Sequence, residues 1–205
     1  MRYADRDGEL AVRIAREALE ARVNGREKRP FELPKHFQEK CGAFVTLNTH
    51  PEGELRGCIG FPQPFFPLVK SIEKGAEGAA EDPRFPPLQP DEIDRVTVEV
   101  SLLTPPQLIE VKKPKELPRH VSVGVDGLSV AQGSYRGLLL PQVAVEYAWD
   151  ASDFLSEACM KAGLLPDAWL DPDTRVYKFQ AEVFGETEPR GTIVRRSLEA
   201  AHADH

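Results

Sequence analysis

The sequence predicts an α+β protein in which mostly antiparallel sheets are flanked by helices. Segments with the two-residue alternation of strands are mixed with segments whose apolar residues recur every three or four positions, as on one face of a helix. The two kinds of segment follow no strict strand–helix–strand order, which disfavours a parallel sheet. At 205 residues, with 41% hydrophobic and 29% charged residues, the chain has the composition of a globular protein with a substantial core.

The first predicted element is a helix that begins near Asp7 and ends at Gly25. An aspartate is a favourable N-cap, and Leu10, Ile14 and Ala18 then fall on one face of the helix. Gly25 can adopt the left-handed conformation that ends many helices.

Two strands over 41–49 and 55–61 are predicted to pair as a hairpin. Both segments alternate, and residues 51–54 between them have turn composition. A second helix is expected over 68–81, where apolar residues recur at four-residue spacing. A third strand is expected over 95–103, where valine and leucine alternate with polar residues.

The second half of the chain begins with a predicted meander. Segments 121–125 and 128–132 flank Asp126-Gly127, a pair that favours a two-residue hairpin turn because both residues tolerate positive φ. Residues 133–137 then turn the chain into a strand at 138–140.

The last predicted elements are a helix and a strand. The helix is capped by Asp150 or Ser152 and ends at Gly163, and the strand spans 176–184. Residues beyond Pro189 have the composition of a polar tail. The domain organisation expected is therefore a single domain over 1–189 and a C-terminal tail over 190–205.

Composition narrows the classes of function. With 26 basic and 33 acidic residues the net charge is −7, so nucleic-acid binding is disfavoured, because it requires cations that displace counterions from phosphates. No apolar run approaches the roughly 20 residues of a membrane span, and the first residues lack the apolar core of a signal peptide. We therefore expect a cytoplasmic protein with reduced cysteines. Its 18 prolines and few asparagines and methionines favour a thermophilic source.

The most informative segment is Leu55-Arg56-Gly57-Cys58-Ile59-Gly60. Side chains alternate along a strand, so Arg56, Cys58 and Gly60 should share one face, with a gap at the glycine. A neighbouring guanidinium lowers the pKa of a thiol and favours the nucleophilic thiolate. Gly57 and Gly60 would let a ligand or a second backbone come close. The alternative is that Cys58 is a small buried apolar residue and the glycines mark a bulge.

A cysteine nucleophile also needs a base. His50 follows the strand before the hairpin turn and is the candidate base, although a histidine at that place is commonly just exposed. Asp82 and Arg84, in a proline-stiffened loop, are candidates for lining a pocket. Closely spaced ligands of a zinc site are absent from the sequence, apart from His202 and His205 near its end, so no metal is expected.

Seven sequence blocks resemble those of the AMMECR-type domain family, in the family's order and over nearly the whole chain. The signature is the hexapeptide at 55–60, and the other blocks span 82–88, 100–104, 124–128, 140–144, 147–150 and 154–155. The resemblance implies a compact α+β protein with a larger and a smaller lobe and with the hexapeptide near a cleft between them.

The resemblance also implies candidate site residues and partners. It carries over Arg56, Gly57, Cys58 and Gly60 as the candidate site, and further matching blocks contain Arg84, Glu146 and Trp149, to which it assigns no role. In prokaryotes the family is associated with a Memo-like protein and a radical SAM protein, in a system where this type is component A. The resemblance names no reaction and no cofactor.

Two functional hypotheses follow. The first is an enzyme, or the substrate-handling component of an enzyme system, in which Cys58 is the nucleophile or carrier thiol and Arg56 holds an anionic group of an unknown small molecule. The second is a non-catalytic adaptor, in which rigid loops display Phe65, Phe66 and Phe85 to a protein partner with little loss of entropy.

Overall fold

The computed structural model describes residues 3–196, which divide into two compact units. The first unit contains residues 3–103 and 182–196, and the second contains residues 104–181. Each unit combines helices with a sheet whose recorded strand pairings are antiparallel, so the α+β prediction is confirmed. Within residues 3–196 there is no helix both long and apolar enough to cross a membrane.

The first unit is built on a five-stranded sheet with the strand order β2-β1-β3-β8-β9. Its strands are β1 (Ala43–Thr49), β2 (Leu55–Phe61), β3 (Val96–Leu103), β8 (Ala181–Glu186, of which Ala181 belongs to the second unit) and β9 (Ile193–Arg196). Helices α1 (Asp5–Val23) and α2 (Leu68–Ala79) pack against each other and against this sheet. The core of the unit lies between the two helices and the alternate side chains of the strands, such as Val45, Leu47 and Val98.

The second unit is built on a four-stranded sheet with the order β4-β7-β5-β6. Its strands are β4 (Gln107–Leu108), β5 (Gly127–Gln132), β6 (Tyr135–Leu139) and β7 (Arg175–Phe179). Helix α3 spans Pro141–Glu146, and helix α4 spans Ala151–Lys161. Phe154 and Leu155 of α4 are fully buried with Leu128 and Val130 of β5, which gives this unit a core of its own.

The predicted capping residues are confirmed for α4 and for the C-terminal end of α1, but not for the N-terminal end of α1. Asp150 is the N-cap of α4, and its carboxylate accepts hydrogen bonds from the backbone N–H groups of Ser152 and Asp153. Asp7 is not the N-cap of α1. It lies three residues inside, where its carboxylate accepts the N–H of Ala4. Gly25 follows α1 with a φ of +61°, as predicted.

The predicted hairpin at Asp126-Gly127 is wrong. The Asp126 carboxylate is buried and accepts the backbone N–H of Ser122, so it closes a turn over 122–126 and leaves no strand there. Gly127 instead begins β5, and the hairpin turn lies at Gly133-Ser134, between β5 and β6.

The predicted strand over 176–184 is two strands that belong to different sheets. The break falls at Gln180, whose backbone N–H donates to Thr104 Oγ1 while its carbonyl accepts the N–H of Thr104. The predicted tail also begins too early, because β9 extends the five-stranded sheet through Arg196. The histidine pair at 202 and 205 lies outside the described residues.

Candidate functional site

Cys58 lies on the face of the five-stranded sheet that is turned away from α2. The neighbouring Gly57 faces the helix, since a Cβ added there would lie 2.2 Å from the carbonyl oxygen of Ala79. Successive strand residues point to opposite faces, so Cys58 points to the other side. Gly57 is therefore required by the close approach of α2 to β2.

The gap expected at Gly60 is filled. A Cβ at Gly60 would lie 2.1 Å from the ring of Phe44, its partner on β1, so that ring occupies the space beside the glycine. Gly60 thus accommodates an aromatic side chain of the same sheet, and the predicted opening next to Cys58 is absent at this position.

The Arg56 guanidinium is committed to partners other than the thiol. Arg56 lies where the β1–β2 register shifts by one residue. Its Nε and Nη2 donate to the Glu92 carboxylate at 2.9 and 3.0 Å, and Nη2 also donates to the carbonyl of Pro86 at 3.0 Å. Arg56 therefore anchors the segment 86–92 to β2, and the prediction that it activates Cys58 loses its geometric basis.

Asp82 and Arg84 hold the backbone of Cys58 instead. The N–H of Cys58 donates to Asp82 Oδ2 at 2.8 Å, and its carbonyl accepts from Arg84 Nη2 at 3.3 Å. The same arginine donates to both Asp82 oxygens, at 3.0 and 2.6 Å. Asp82 is 2% exposed. At Cys58, therefore, a buried carboxylate and its guanidinium partner take the backbone hydrogen bonds on the open edge of β2, where no further strand within residues 3–196 pairs.

The hydrogen bonds of Asp82 and Arg84 to the backbone of Cys58 also account for the contact between its thiol and Thr46. Because the polar backbone groups of Cys58 point outward to Asp82 and Arg84, its pairing with Thr46 on β1 is of the non-hydrogen-bonded kind, in which side chains approach most closely. Thr46 Oγ1 accordingly donates to Cys58 Sγ at 3.3 Å.

The pKa of the Cys58 thiol is raised, contrary to the prediction. Burial is the largest cause, and the charges of Asp82 and Glu99 act in the same direction. The Thr46 hydrogen bond and the positive charge of Arg84 oppose the shift without cancelling it. The thiol is therefore in its neutral form at pH 7.

Glu99 is a second titratable group on this face. It pairs with Thr46 across β1 and β3, so Cys58, Thr46 and Glu99 form a row across three strands. Burial raises the pKa of the Glu99 carboxyl, while Arg196, whose Nε lies 3.3 Å from Glu99 Oε2, opposes that shift. Sequence reasoning missed this row, although Glu99 is the one charged residue inside the apolar strand β3.

His50 is not brought to the thiol. It lies in the turn after β1, four residues beyond Thr46, the register partner of Cys58. At about 3.3 Å per strand residue, this separation is roughly 13 Å along the strand. His50 could act as a base for Cys58 only if β1 and β2 paired in a different register.

Of the two candidate residues of the second unit, Trp149 is part of an aromatic stack and Glu146 is not. Trp149 stacks between Tyr147, with ring centroids 4.9 Å apart, and Phe154, at 6.5 Å. Ala148 between the first two rings has a φ of +52°, which a residue with a side chain adopts only under local strain. Glu146 ends α3 and is exposed.

The fold and the hexapeptide place this chain in a known class: it belongs to the AMMECR1 family, whose model matches residues 12–184. It is 55% identical over 203 residues to a protein of Thermococcus gammatolerans, covering 96% of this chain and 98% of that one. It is also 55% identical over 203 residues to Protein PF1979 of Pyrococcus furiosus, covering 96% of each chain.

A solved structure agrees with the family assignment. The crystal structure of uncharacterized protein PH0010 from Pyrococcus horikoshii superposes with a TM-score of 0.77 at 54% identity, covering 93% of this chain and 96% of that one. The names of these relatives state no activity, so membership of the family leaves the biochemical activity unestablished.

Proposed function

We propose that this chain is the thiol-bearing component of a multi-protein modification system, in which Cys58 is the reacting group. The observation that carries the proposal is the difference between Cys58 and the other two cysteines. Cys41 and Cys159 are 1% and 0% exposed and belong to the two cores. Cys58 is only half-buried and lies beside the polar side chain of Thr46.

The hydrogen bonds of Asp82 and Arg84 to the backbone of Cys58 support the same proposal. A buried apolar cysteine needs no charged partners, yet Asp82 and Arg84 fix both backbone polar groups of Cys58. Reacting groups need their position held within a fraction of an ångström by surrounding hydrogen bonds. In this proposal Asp82, Arg84 and Arg56 are positioning residues, and Gly57 and Gly60 permit the packing that holds the strand in place.

The electrostatics favour a component over a self-sufficient enzyme. The thiol is neutral, Arg56 is neutralised by Glu92, and His50 lies about four strand residues away, roughly 13 Å. A base that makes the thiolate must then arrive with the substrate or with a partner protein. The partners suggested by the family resemblance are a Memo-like protein and a radical SAM protein. We place their meeting in the cytoplasm, where the thiol stays reduced.

Reconstitution with these two partners tests the proposal. Cys58→Ser nearly keeps the size of the side chain and removes the thiol. The formation of the modified product should therefore fall to background, while the binding of the two partner proteins stays unchanged. Cys159→Ser is the matched control and should retain activity, provided that its circular dichroism spectrum is native. A Cys58→Ser protein with full activity would contradict the proposal.

The second candidate is an adaptor that binds a protein partner through a rigid aromatic loop. Phe65 lies in a proline-bounded loop and is 69% exposed, which supports this alternative. Phe66 is less suited, since it packs edge-on against Phe61. Phe85 is also engaged, because the guanidinium groups of Arg56 and Arg84 lie 5.9 and 5.7 Å from its ring centre.

Co-purification with the Memo-like protein separates the two candidates. For an adaptor, Phe65→Ala should weaken capture at least tenfold, because exposed aromatic anchors carry much of the energy of interfaces. Leu165→Ala is the matched control, since Leu165 is 74% exposed in the second unit. Equal capture of both variants and of the wild type would remove Phe65 as the anchor.

A further inference from the structure

A cavity of about 640 Å³ lies beside α1 in the first unit, and we call it the α1 cleft. One wall is a stripe of charged residues along α1, and the other walls are residues 29–31 and 190–193 together with Glu186. The stripe consists of Glu9, Arg13, Arg16, Glu17 and Glu20. The volume is in the range of small-molecule sites, roughly 300–1,000 Å³.

Most charges of the α1 cleft neutralise one another. Arg16 pairs with Glu186, Arg29 with Glu17, and Arg190 with Glu20. Arg16 and Glu186 are both buried. Their ion pair should stay intact when a ligand binds, because an unpaired buried charge would strongly destabilise the fold.

Two lining charges are left without such a partner. Among residues 3–196, neither Glu9 nor Arg13 has an ion-pair or hydrogen-bonding partner for its side chain. They are four residues apart on α1, so their Cβ atoms are about 6 Å apart on one side of the helix. The cleft therefore presents one free anion and one free cation, a helical turn apart.

Part of the remaining lining is apolar. Pro30, Phe31 and Ile193 contribute this apolar part, and the last two pack against the core of the first unit. Their position is thus fixed before any ligand arrives, which limits the entropy lost on binding.

We propose that the α1 cleft binds a zwitterionic small molecule with an apolar group, of which an apolar α-amino acid is the simplest. The carboxylate of the ligand pairs with Arg13, its ammonium group pairs with Glu9, and its side chain lies against Phe31 and Ile193. A simple anion would meet the carboxylate of Glu9 without compensation, and a simple cation would meet Arg13 in the same way.

Calorimetric titration of the full chain with L-phenylalanine tests this assignment. We expect a Kd of about 1 mM or tighter. N-acetylphenylalanine, phenylalaninamide and glycine each lack one of the three recognised groups, and each should bind at least tenfold more weakly, which corresponds to about 1.4 kcal/mol. Undetectable binding of L-phenylalanine, or binding of any of the three analogues as tight as that of L-phenylalanine, would overturn the proposal.

Variants locate the site. Arg13→Gln and Glu9→Gln change exposed side chains and should each weaken L-phenylalanine binding at least tenfold while circular dichroism stays native. Arg6→Gln, an exposed arginine of the same helix outside the cleft, is the matched control and should bind as the wild type does. Unchanged affinity in the Arg13 and Glu9 variants, or an equal loss in the Arg6 variant, would refute it.

Discussion

At the scale of single residues, the chemistry of Cys58 depends on contacts that come from distant parts of the chain. Alternation along β2 was enough to predict that Cys58 and Gly57 face opposite ways. Asp82 and Arg84 lie 24 and 26 positions later in sequence, and nothing local indicates that they close on the backbone of Cys58. The sequence therefore singles out Cys58 as a candidate residue, but the charged side chains that hydrogen-bond to its backbone are those of Asp82 and Arg84 and not that of Arg56.

Charge-removing variants distinguish the two arginines. Arg84→Gln should raise the pKa of the Cys58 thiol further, because it removes a favourable positive charge and frees the negative charge of Asp82. Arg56→Gln should leave that pKa unchanged, since neither Arg56 nor its partner Glu92 is among the groups that shift the pKa of the Cys58 thiol. The pH dependence of thiol alkylation measures both. A larger shift in the Arg56 variant would restore the original assignment of the cation.

Asp82 should contribute stability that depends on pH. Its hydrogen bonds to Arg84 hold the pKa of the carboxyl well below its usual range. The stabilisation is thus complete above the unfolded pKa of about 3.9 and is lost as the pH falls towards the lower folded value. Asp82→Asn should cost about 2 kcal/mol at neutral pH, and denaturant unfolding should show that the difference shrinks towards pH 2. A constant difference would contradict this origin.

At the scale of elements, regular segments were predictable and junctions were not. Strand β2 begins and ends where the alternation predicted, at Leu55 and Phe61. The segment 176–184 also alternates throughout, yet it is divided at Gln180 because Thr104 hydrogen-bonds to both of its backbone groups. A two-residue period records the burial of alternate side chains and carries no information on which sheet the strand joins.

The packing of α2 on β2 predicts unequal effects of alanine at the two hexapeptide glycines. Gly57→Ala forces a methyl group against the backbone oxygen of Ala79, which cannot move without the helix, and should cost about 3 kcal/mol. Gly60→Ala meets the Phe44 ring, a side chain that can turn, and should cost about 1 kcal/mol. Thermal unfolding of the two variants compares their stabilities. A Gly57→Ala protein that is more stable than the Gly60→Ala protein would contradict the prediction.

At the scale of the whole molecule, the described residues form two hydrophobic cores, and the chain carries a net charge of −7. Composition predicted the globular class, and the ordered family blocks predicted the family. The lobes implied by the family resemblance came without bounds, and the structure gives the bounds of two units: the second unit is a continuous insertion between β3 and β8. The lobes with a cleft between them remain a prediction from the family resemblance.

The net charge predicts no affinity for nucleic acid. Fluorescence anisotropy with labelled DNA and RNA should stay flat at roughly 50 mM salt, where non-specific electrostatic binding is strong. A binding curve that weakens steeply with added salt would show that a local basic surface outweighs the total charge.

The most direct test of the central claim is site-resolved alkylation of the native chain, with the three cysteine peptides followed by mass spectrometry over a range of pH. Cys58 should react while Cys41 and Cys159 stay protected, and its rate should keep rising above about pH 9, because burial raises its thiol pKa. Protection of Cys58 equal to that of the two core cysteines, or a rate that is half-maximal at or below the unperturbed thiol pKa of about 8.5, would contradict the account.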